Sequence, residues 1–138
     1  MHIEWKADYN TGVVIVDTQH QQLVALLNQH FDKESSVDLY EMFQMLGDFN
    51  AYAMRHFDTE SHLIQEAGLT ESSLWLLHSG EHDYYRQRID EFRLLAQGQP
   101  DTTASRLMSF LRYWWLDHIQ VNDKKLMQSL LTIKQTQA

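Results

Sequence analysis

The chain has 138 residues, with one Pro, five Gly and no Cys, and this length predicts one domain with a single proper core. The absence of Cys excludes disulfide scaffolds, Cys-based catalysis and thiolate metal sites, so any metal must be held by His, carboxylate or carbonyl ligands. A net charge of −8 argues against a nucleic-acid partner, and the lack of a signal sequence or of an apolar stretch of about 18 residues predicts a soluble, cytoplasmic protein with no membrane partner.

The chain is predicted to open with an irregular segment that leads into a helix. Residues 1–16 carry spaced apolar side chains and form an N-terminal arm. Helix A is expected to start after Asp17 or Thr18, because both are good N-cap residues, and to end near residue 32. A polar loop is predicted over 33–37.

Two long helices follow. Helix B is predicted over 38–67, because Asp38 and Glu41 form a start that resembles a capping box. Gly68 behind its last turn is typical of a helix stop. Helix C is predicted over 70–97. Each of these helices is too long and too free of Gly and Pro to be a strand.

The last part of the chain completes a bundle. Helix D is expected to open near Asp101 or Thr102 and to reach about His118, and a further helical stretch follows it. Four helices with short connections predict an all-α, up-down antiparallel four-helix bundle. We expect a single domain over 1–131 and a tail or linker over 132–138.

Each predicted helix carries an apolar stripe at helical spacing, and the informative residues are the polar ones within it. In helix D, for example, the stripe contains Leu107, Leu111, Trp114 and His118. The polar positions in the four stripes are His20 in helix A, His56 and Glu60 in helix B, His78 and His82 in helix C, and His118 in helix D.

A single buried His is commonly a hydrogen-bonded core residue. Several buried ionisable groups are a different case, because each costs several kcal/mol unless something compensates them together. A metal cation is the simplest compensation. His56 with Glu60, and His78 with His82, are each four residues apart, which places each pair on one helix face within reach of one metal site.

The register of the bundle supports this interpretation. Glu60 and His78 lie equally far along the chain from Leu69, the centre of the turn between helices B and C. His56 and His82 are also equally far from Leu69, and each lies about one helical turn further from it. These four side chains therefore fall at two shared levels.

Helices A and B fit less well. His20 lies roughly three helical turns before residue 32, whereas His56 lies roughly five turns after residue 38. Helix B must therefore extend beyond helix A by about a turn and a half, or the predicted boundaries are wrong.

Five imidazoles and a carboxylate exceed the ligands of one tetrahedral zinc, and two metal ions bridged by carboxylate fit better. The chain contains neither the Glu-x-x-His pair of ferritin-like bundles nor a His-Glu-x-x-His motif. The residues therefore favour a His-rich pair of iron ions.

At this point the sequence resembles the bacterial hemerythrins over nearly its whole length. The motifs that carry the resemblance are Glu4-Trp5, Tyr9-Asn10-Thr11-Gly12, Asp17-Thr18-Gln19-His20, His56-Phe57-Asp58-Thr59-Glu60, His78-x-x-x-His82, Trp114-x-x-x-His118-Ile119 and Asp123. All seven ligand positions of that family are filled.

The resemblance implies a hemerythrin-like fold and an oxo- or hydroxo-bridged pair of iron ions. It implies that one iron is held by His78, His82 and His118 and that the other is held by His20 and His56, with Glu60 and Asp123 bridging the two. Dioxygen would bind at an open position on the second iron. Asp123 rests on the resemblance alone, because by itself it is typical of a surface Asp beyond the end of helix D.

Four other residues receive separate predictions. His2, His30 and His62 are expected to lie outside the site. Trp115 stands where many relatives have Leu, so it either points inward and lines the oxygen pocket or lies half-exposed against a neighbouring helix.

The resemblance favours a binding protein over an enzyme, with dioxygen sensing, carriage or storage as its role. Two alternatives stay open. One is a di-iron redox sensor domain attached to a signalling output such as a diguanylate cyclase. The other is a di-iron peroxidase or nitric oxide reductase, for which Tyr52, Tyr85 and Asp117 are the candidate acid–base groups.

Overall fold

A computed structural model describes residues 2–31 and 38–137, and it confirms an all-α four-helix bundle with no strand in those two ranges. The helices are α1 (Val14–Phe31), α2 (Leu39–Glu66), α3 (Ser73–Gly98), α4 (Pro100–Asp117) and α5 (Lys124–Gln137). A short 3₁₀ turn (Ala7–Tyr9) precedes α1, and a π-helical turn (His118–Asp123) joins α4 to α5. No helix of the described chain has both the length and the apolar character of a membrane span.

Local capping explains where α2 begins and ends and where α3 begins. The Asp38 carboxylate accepts the backbone N–H of Glu41 at 2.8 Å, which confirms the predicted start of α2. Gly68 follows the last turn of α2 with a φ of +71°, a left-handed conformation that glycine adopts without strain. The start of α3 is two to three residues later than predicted, because the Ser72 hydroxyl caps it by accepting the N–H of Trp75.

The prediction that helix A starts after Asp17 or Thr18 is wrong, because α1 begins at Val14. Asp17 is not an N-cap. Its carboxylate accepts the backbone N–H and the hydroxyl of Thr11, at 2.7 and 2.8 Å, and the backbone N–H of Gly12 at 3.2 Å. Asp17 therefore links the arm to the first turn of α1. Its carboxylate accepts backbone N–H groups of the arm instead of those of the helix.

The end of the chain also differs from the prediction. A tail of low order was predicted over 132–138, but α5 continues to Gln137. No Gly or Pro interrupts this segment, and the Thr132 hydroxyl donates to the carbonyl of Gln128 at 2.9 Å. The predicted polar loop over 33–37 lies outside the described residues.

Helices α1 and α2, whose predicted registers fitted poorly, contact each other in the structure. His20 lies roughly three turns before the end of α1 and His56 lies roughly five turns after the start of α2. Their Nε2 atoms are nevertheless 3.3 Å apart. The start of α2 therefore extends beyond α1 by about a turn and a half. Leu39, Tyr40 and Phe43 lie in this extension and are exposed.

The interior contains two hydrophobic clusters with a polar layer between them. The larger cluster fills the bundle and includes Leu23, Phe57 and Ile119, and the smaller one lies against α5 and includes Val16, Ile64 and Leu126. On three elements, a residue of the polar layer lies along the chain between a residue of one cluster and a residue of the other. These residues are His20 between Val16 and Leu23, Glu60 between Phe57 and Ile64, and Asp123 between Ile119 and Leu126.

One position of the predicted α4 stripe differs in the structure. Trp115, rather than Trp114, is the fully buried tryptophan of α4, and Trp114 is only partly buried. Both indoles pack against the ring of His118, Trp114 stacked on its face and Trp115 edge-on.

Candidate metal centre

The tertiary structure brings all seven predicted ligand residues together. None of them is more than 3% exposed. They come from four elements: His20 on α1, His56 and Glu60 on α2, His78 and His82 on α3, and His118 and Asp123 on the π turn.

The π turn explains how Asp123 reaches the cluster. In an α-helix each residue advances by about 100°, so positions five apart point in clearly different directions. The wider π turn over His118–Asp123 brings positions five apart much closer to one face of the helix. The His118 Nε2 atom accordingly lies 2.8 Å from the Asp123 Oδ1 atom. The five-residue spacing was the only signal in the sequence, and it has meaning only if the helix widens there.

The two carboxylates lie among the imidazoles. Glu60 Oε1 is 2.7 Å from His56 Nε2, and Glu60 Oε2 is 2.7 Å from His78 Nε2. Asp123 Oδ2 lies 2.5 Å from His20 Nε2 and 3.0 Å from His56 Nε2. Both oxygens of each carboxylate therefore face imidazole nitrogens, on the carboxylate's own element and on others.

Two sets of donor atoms are compact enough to hold an ion each, with all atoms of a set within 4.8 Å of one another. The first set is Glu60, His78, His82 and His118, and the second is His56, Glu60, His118 and Asp123. Glu60 belongs to both sets. His118 also belongs to both, whereas the resemblance assigned it to one iron. His20 adjoins the second set through its 3.3 Å contact with His56.

Several of the buried donor atoms have no hydrogen-bond partner. They include the Nε2 atoms of His78 and His82, Glu60 Oε2 and Asp123 Oδ1. Some of these atoms are within 3.1 Å of an opposite partner but lack the direction of a hydrogen bond. Buried polar atoms are rarely left in this way. Converging donor atoms that lack hydrogen-bond partners are what a shared cation requires, so these residues fit a metal pair.

Burial favours the neutral form of each imidazole, and the carboxylates oppose it unequally. For His56, the charges of Glu60 and Asp123 outweigh burial and raise its pKa to about 9. Close contacts with the same carboxylates overcome burial at His78 and raise its pKa to about 10. His82 is 3.8 Å from its nearest carboxylate oxygen on Glu60, and burial lowers its pKa to about 2.

The carboxylates respond to the same contacts. Burial and the charge of Asp123 both oppose ionisation of Glu60, but His56 and His118 hold the pKa of its carboxyl below its ordinary value. The pKa of Asp123 is also lowered despite burial, chiefly by His118. Both groups are therefore carboxylates at neutral pH, the form that binds a divalent metal.

Aromatic rings enclose the cluster. Four of the imidazoles each have an aromatic ring stacked against them at interplanar angles of 20° or less. The pairs are Tyr52 with His56, Phe57 with His82, Trp75 with His78, and Trp114 with His118. These contacts fix the ring planes and keep the cluster in an apolar surrounding.

Gln19 is a positioning residue that sequence reasoning missed. Its side-chain oxygen accepts from Nδ1 of His56 at 2.8 Å, and its amide nitrogen donates to the Thr59 hydroxyl at 2.9 Å. The Thr59 contact orients the Gln19 amide, and the Gln19 oxygen directs the other ring nitrogen, Nε2, toward the cluster. The signal was present in the sequence, since Gln19 directly precedes His20.

Comparison of the chain with known proteins agrees with this geometry. A family model described as "Hemerythrin HHE cation binding domain" matches residues 11–130. The chain belongs to the hemerythrin family. The resemblance found in the sequence is thereby confirmed.

Curated relatives of this hemerythrin-family chain are bacterial. It is 27% identical over 122 residues to a bacteriohemerythrin of Pseudomonas aeruginosa (strain LESB58), an alignment that covers 88% of this chain and 77% of the relative. It is 28% identical over 120 residues to a bacteriohemerythrin of Stenotrophomonas maltophilia, covering 87% and 76%. A bacteriohemerythrin of Aquifex aeolicus is 26% identical over 121 residues, covering 86% and 90%.

Within this hemerythrin fold, Trp115 points inward. It is fully buried, and its ring centroid lies 5.9 Å from that of His56 and 5.6 Å from that of His118. Its indole N–H donates to the Tyr85 hydroxyl at 3.2 Å. Of the two alternatives for this residue, the inward orientation is therefore the one observed.

The three remaining histidines lie away from the cluster. His2 is exposed, His30 contacts Asp48 at 3.2 Å, and the His62 ring is bonded to the Asp58 carbonyl on the outer face of α2. These positions agree with the prediction that they lie outside the site.

Proposed function

We propose that this hemerythrin-family chain binds two iron ions and takes up dioxygen reversibly, and that it serves in oxygen sensing, carriage or storage. The observation that carries the proposal is the buried layer of five imidazoles and two carboxylates, whose donor atoms converge and several of which have no hydrogen-bond partner. A pair of iron ions bound there supplies the electrons that dioxygen accepts on binding.

The proposed ligand assignment follows the donor sets. His78, His82 and His118 hold one ion, His20 and His56 hold the other, and Glu60 and Asp123 bridge them. The first compact set supports the assignment of the first ion, and the membership of Glu60 in both sets supports its bridging role. For Asp123 the support is that one oxygen contacts His20 and His56 while the other contacts His78 and His118. The second ion has fewer protein donors, which leaves room for an external ligand there.

The surroundings of His56 favour binding over further chemistry. Tyr52 stacks on its ring and Trp115 packs 5.9 Å from it, so this side of the cluster is apolar. An apolar wall excludes the water that would supply protons to reduced oxygen. This is why reversible uptake is the leading proposal.

The candidate acid–base groups support a binding role over an enzyme. The Tyr52 hydroxyl donates to the backbone carbonyl of Gln19 at 2.7 Å, and the Tyr85 hydroxyl accepts from Trp115. Burial raises the pKa of both phenols, which keeps them neutral. Asp117 is exposed. None of these three side chains is arranged as a proton donor to the cluster.

The test is metal content combined with absorption spectra of the reduced, anaerobic protein before, during and after exposure to air, followed by removal of oxygen. We expect two irons per chain and a visible band that disappears again under argon. Irreversible passage to the oxidised spectrum would instead support the redox-sensor alternative. Multiple turnovers with peroxide or nitric oxide would support an enzyme, and absence of iron would overturn the proposal.

A further inference from the structure

A groove of about 790 Å³ on the surface between α2 and α3 leads to the polar layer. The rings of Phe57, Trp75 and His82 line its apolar part, and charged side chains, among them Asp58 and Arg86, line its rim. His82 belongs both to this groove and to the first compact donor set. The groove therefore connects solvent with a predicted metal ligand.

His82 makes fewer polar contacts than its neighbours. Its Nε2 atom has no hydrogen-bond partner, although the side chain is only 3% exposed. The nearest Glu60 oxygen is 3.8 Å away, whereas His56 and His78 each approach a Glu60 oxygen to 2.7 Å. Aromatic contacts rather than polar ones therefore hold the His82 ring, so the side chains packed against it determine whether an ion can reach it.

The cover over His82 consists of two side chains. Phe57 stacks on the His82 ring with centroids 3.7 Å apart and planes 12° apart. The Arg86 guanidinium lies 5.3 Å from the Phe57 centroid, and it bonds Asp83 at 2.9 Å. Arg86 is about half exposed, and neither a surface ion pair nor an exposed cation–π contact holds a side chain firmly. The outer part of the cover can therefore open by a change of side-chain rotamer.

The rim carries more carboxylates than cations. Asp58, Asp83 and Asp90 line it together with Arg55 and Arg86. Asp83 pairs with Arg86, and Asp90 pairs with Arg93. Carboxylate oxygen and imidazole nitrogen are both ligands of first-row divalent metal ions. Because the seven cluster residues are buried, an ion must pass a side chain that moves.

We propose that divalent metal ions enter and leave the buried cluster through the groove between α2 and α3, with His82 as the first cluster ligand that they meet and Arg86 as the movable cover. This inference rests on the proposed metal binding, but it does not depend on what the loaded protein does with dioxygen.

The experiment measures the rate at which the reduced, iron-loaded protein loses iron to a ferrous chelator under argon, at chelator concentrations where the rate no longer depends on the chelator. Arg86→Ala removes the outer cover, and we expect release to be about two- to fivefold faster, as loss of one cation–π contact predicts. Ser79→Phe narrows the groove, and we expect it to slow release.

Arg88→Ala is the matched control. Arg88 lies on the same helix, pairs with Glu91 three residues on, and places its guanidinium 4.8 Å from the Phe92 centroid. Arg88 does not line the groove, so the Arg88→Ala variant should release iron at the rate of the unmodified protein. Equal rates for Arg86→Ala and Arg88→Ala, with two irons bound at the start, would overturn this inference alone. Failure of the unmodified protein to bind any metal would overturn the proposed function as well.

Discussion

At the scale of single residues, Glu60 has the central position in the polar layer. One of its oxygens faces His56 on its own helix and the other faces His78 on α3, each at 2.7 Å. It is also the carboxylate common to both compact donor sets. Among the described residues no other carboxylate contributes to both sets, so its removal leaves both proposed ions without this shared ligand.

Replacement of Glu60 by Ala should therefore remove most of the bound iron. His62→Ala is the control, because this side chain lies two residues further along α2 and is 66% exposed. Metal analysis of the two purified variants distinguishes the cases. Two irons per chain in Glu60→Ala would contradict the bridging role, and loss of iron in His62→Ala would mean that the outer face of α2 had been misassigned.

Trp115 combines a packing role with a position beside the cluster. Trp115→Leu should lower the free energy of unfolding by roughly 2–4 kcal/mol, because it leaves a cavity in the core and removes the hydrogen bond to Tyr85. It should also speed oxygen uptake or autoxidation, because the cavity lies beside His56.

Urea denaturation measures the first effect and stopped-flow absorption measures the second. Tyr113→Leu is a suitable control, since Tyr113 is an exposed aromatic residue on the same helix. If Trp115→Leu lost stability but kept the kinetics of the unmodified protein, Trp115 would lie outside the oxygen route.

At the scale of elements, two irregular segments determine how the regular helices are used. The π turn over His118–Asp123 brings Asp123 onto the face of His118. The segment before α1 is held by Asp17, which bonds Thr11 and Gly12. Gly12 has a φ of +91°, and it packs so closely that an added Cβ would lie 3.2 Å from a methyl group of Leu131 on α5. The arm is thereby held against α1 by Asp17 and packed against α5 at Gly12.

Gly12→Ala should therefore destabilise the protein by roughly 1–2 kcal/mol, because an L residue is strained at this φ. Gly47→Ala is a matched substitution in the exposed middle of α2, where an added Cβ meets no atom within 4 Å. It should stabilise the protein by about 0.5–1 kcal/mol through helix propensity. Urea midpoints that moved in the same direction for both variants would contradict this account of the Gly12 turn.

At the scale of the whole molecule, the polar layer divides the interior into two apolar clusters. The larger cluster fills the bundle, and the smaller cluster fastens α5 to α1 and α2. Seven buried ionisable side chains in one layer are costly unless they share a cation. Metal binding and folding are therefore expected to be linked in this protein.

Removal of iron should lower the free energy of unfolding by several kcal/mol. The reason is that the ions bind only the folded chain, since the unfolded chain has no assembled site for them. Urea denaturation of the loaded and chelator-treated protein measures the difference. The same treatment of Glu60→Ala should change little, because that variant holds little iron from the start. Equal stability of the loaded and stripped protein would show that the layer is stable without a cation.

Much of the fold and of the site could be predicted because both depend on local periodicity. Amphipathic spacing placed His20, His56, Glu60 and the other stripe residues on inward faces, and all six of them are buried in one layer. The capping function of Asp38 was also readable, since a side chain and a backbone N–H three residues later form it. The role of these residues as iron ligands stays a prediction that metal analysis must test.

The tertiary structure decided what local periodicity does not encode. Asp17 is a good N-cap by residue type, yet packing of the arm gives it another role, and α1 starts earlier. Trp114 and Trp115 are both apolar, and Trp115 is the one fully buried, in contact with the rings of Phe57 and Tyr85. Asp123 reaches the cluster because the backbone adopts a wider turn there. Each of these outcomes depends on contacts or backbone geometry outside the regular spacing of an α-helix, whereas the helices and their inward faces follow from residues three or four positions apart.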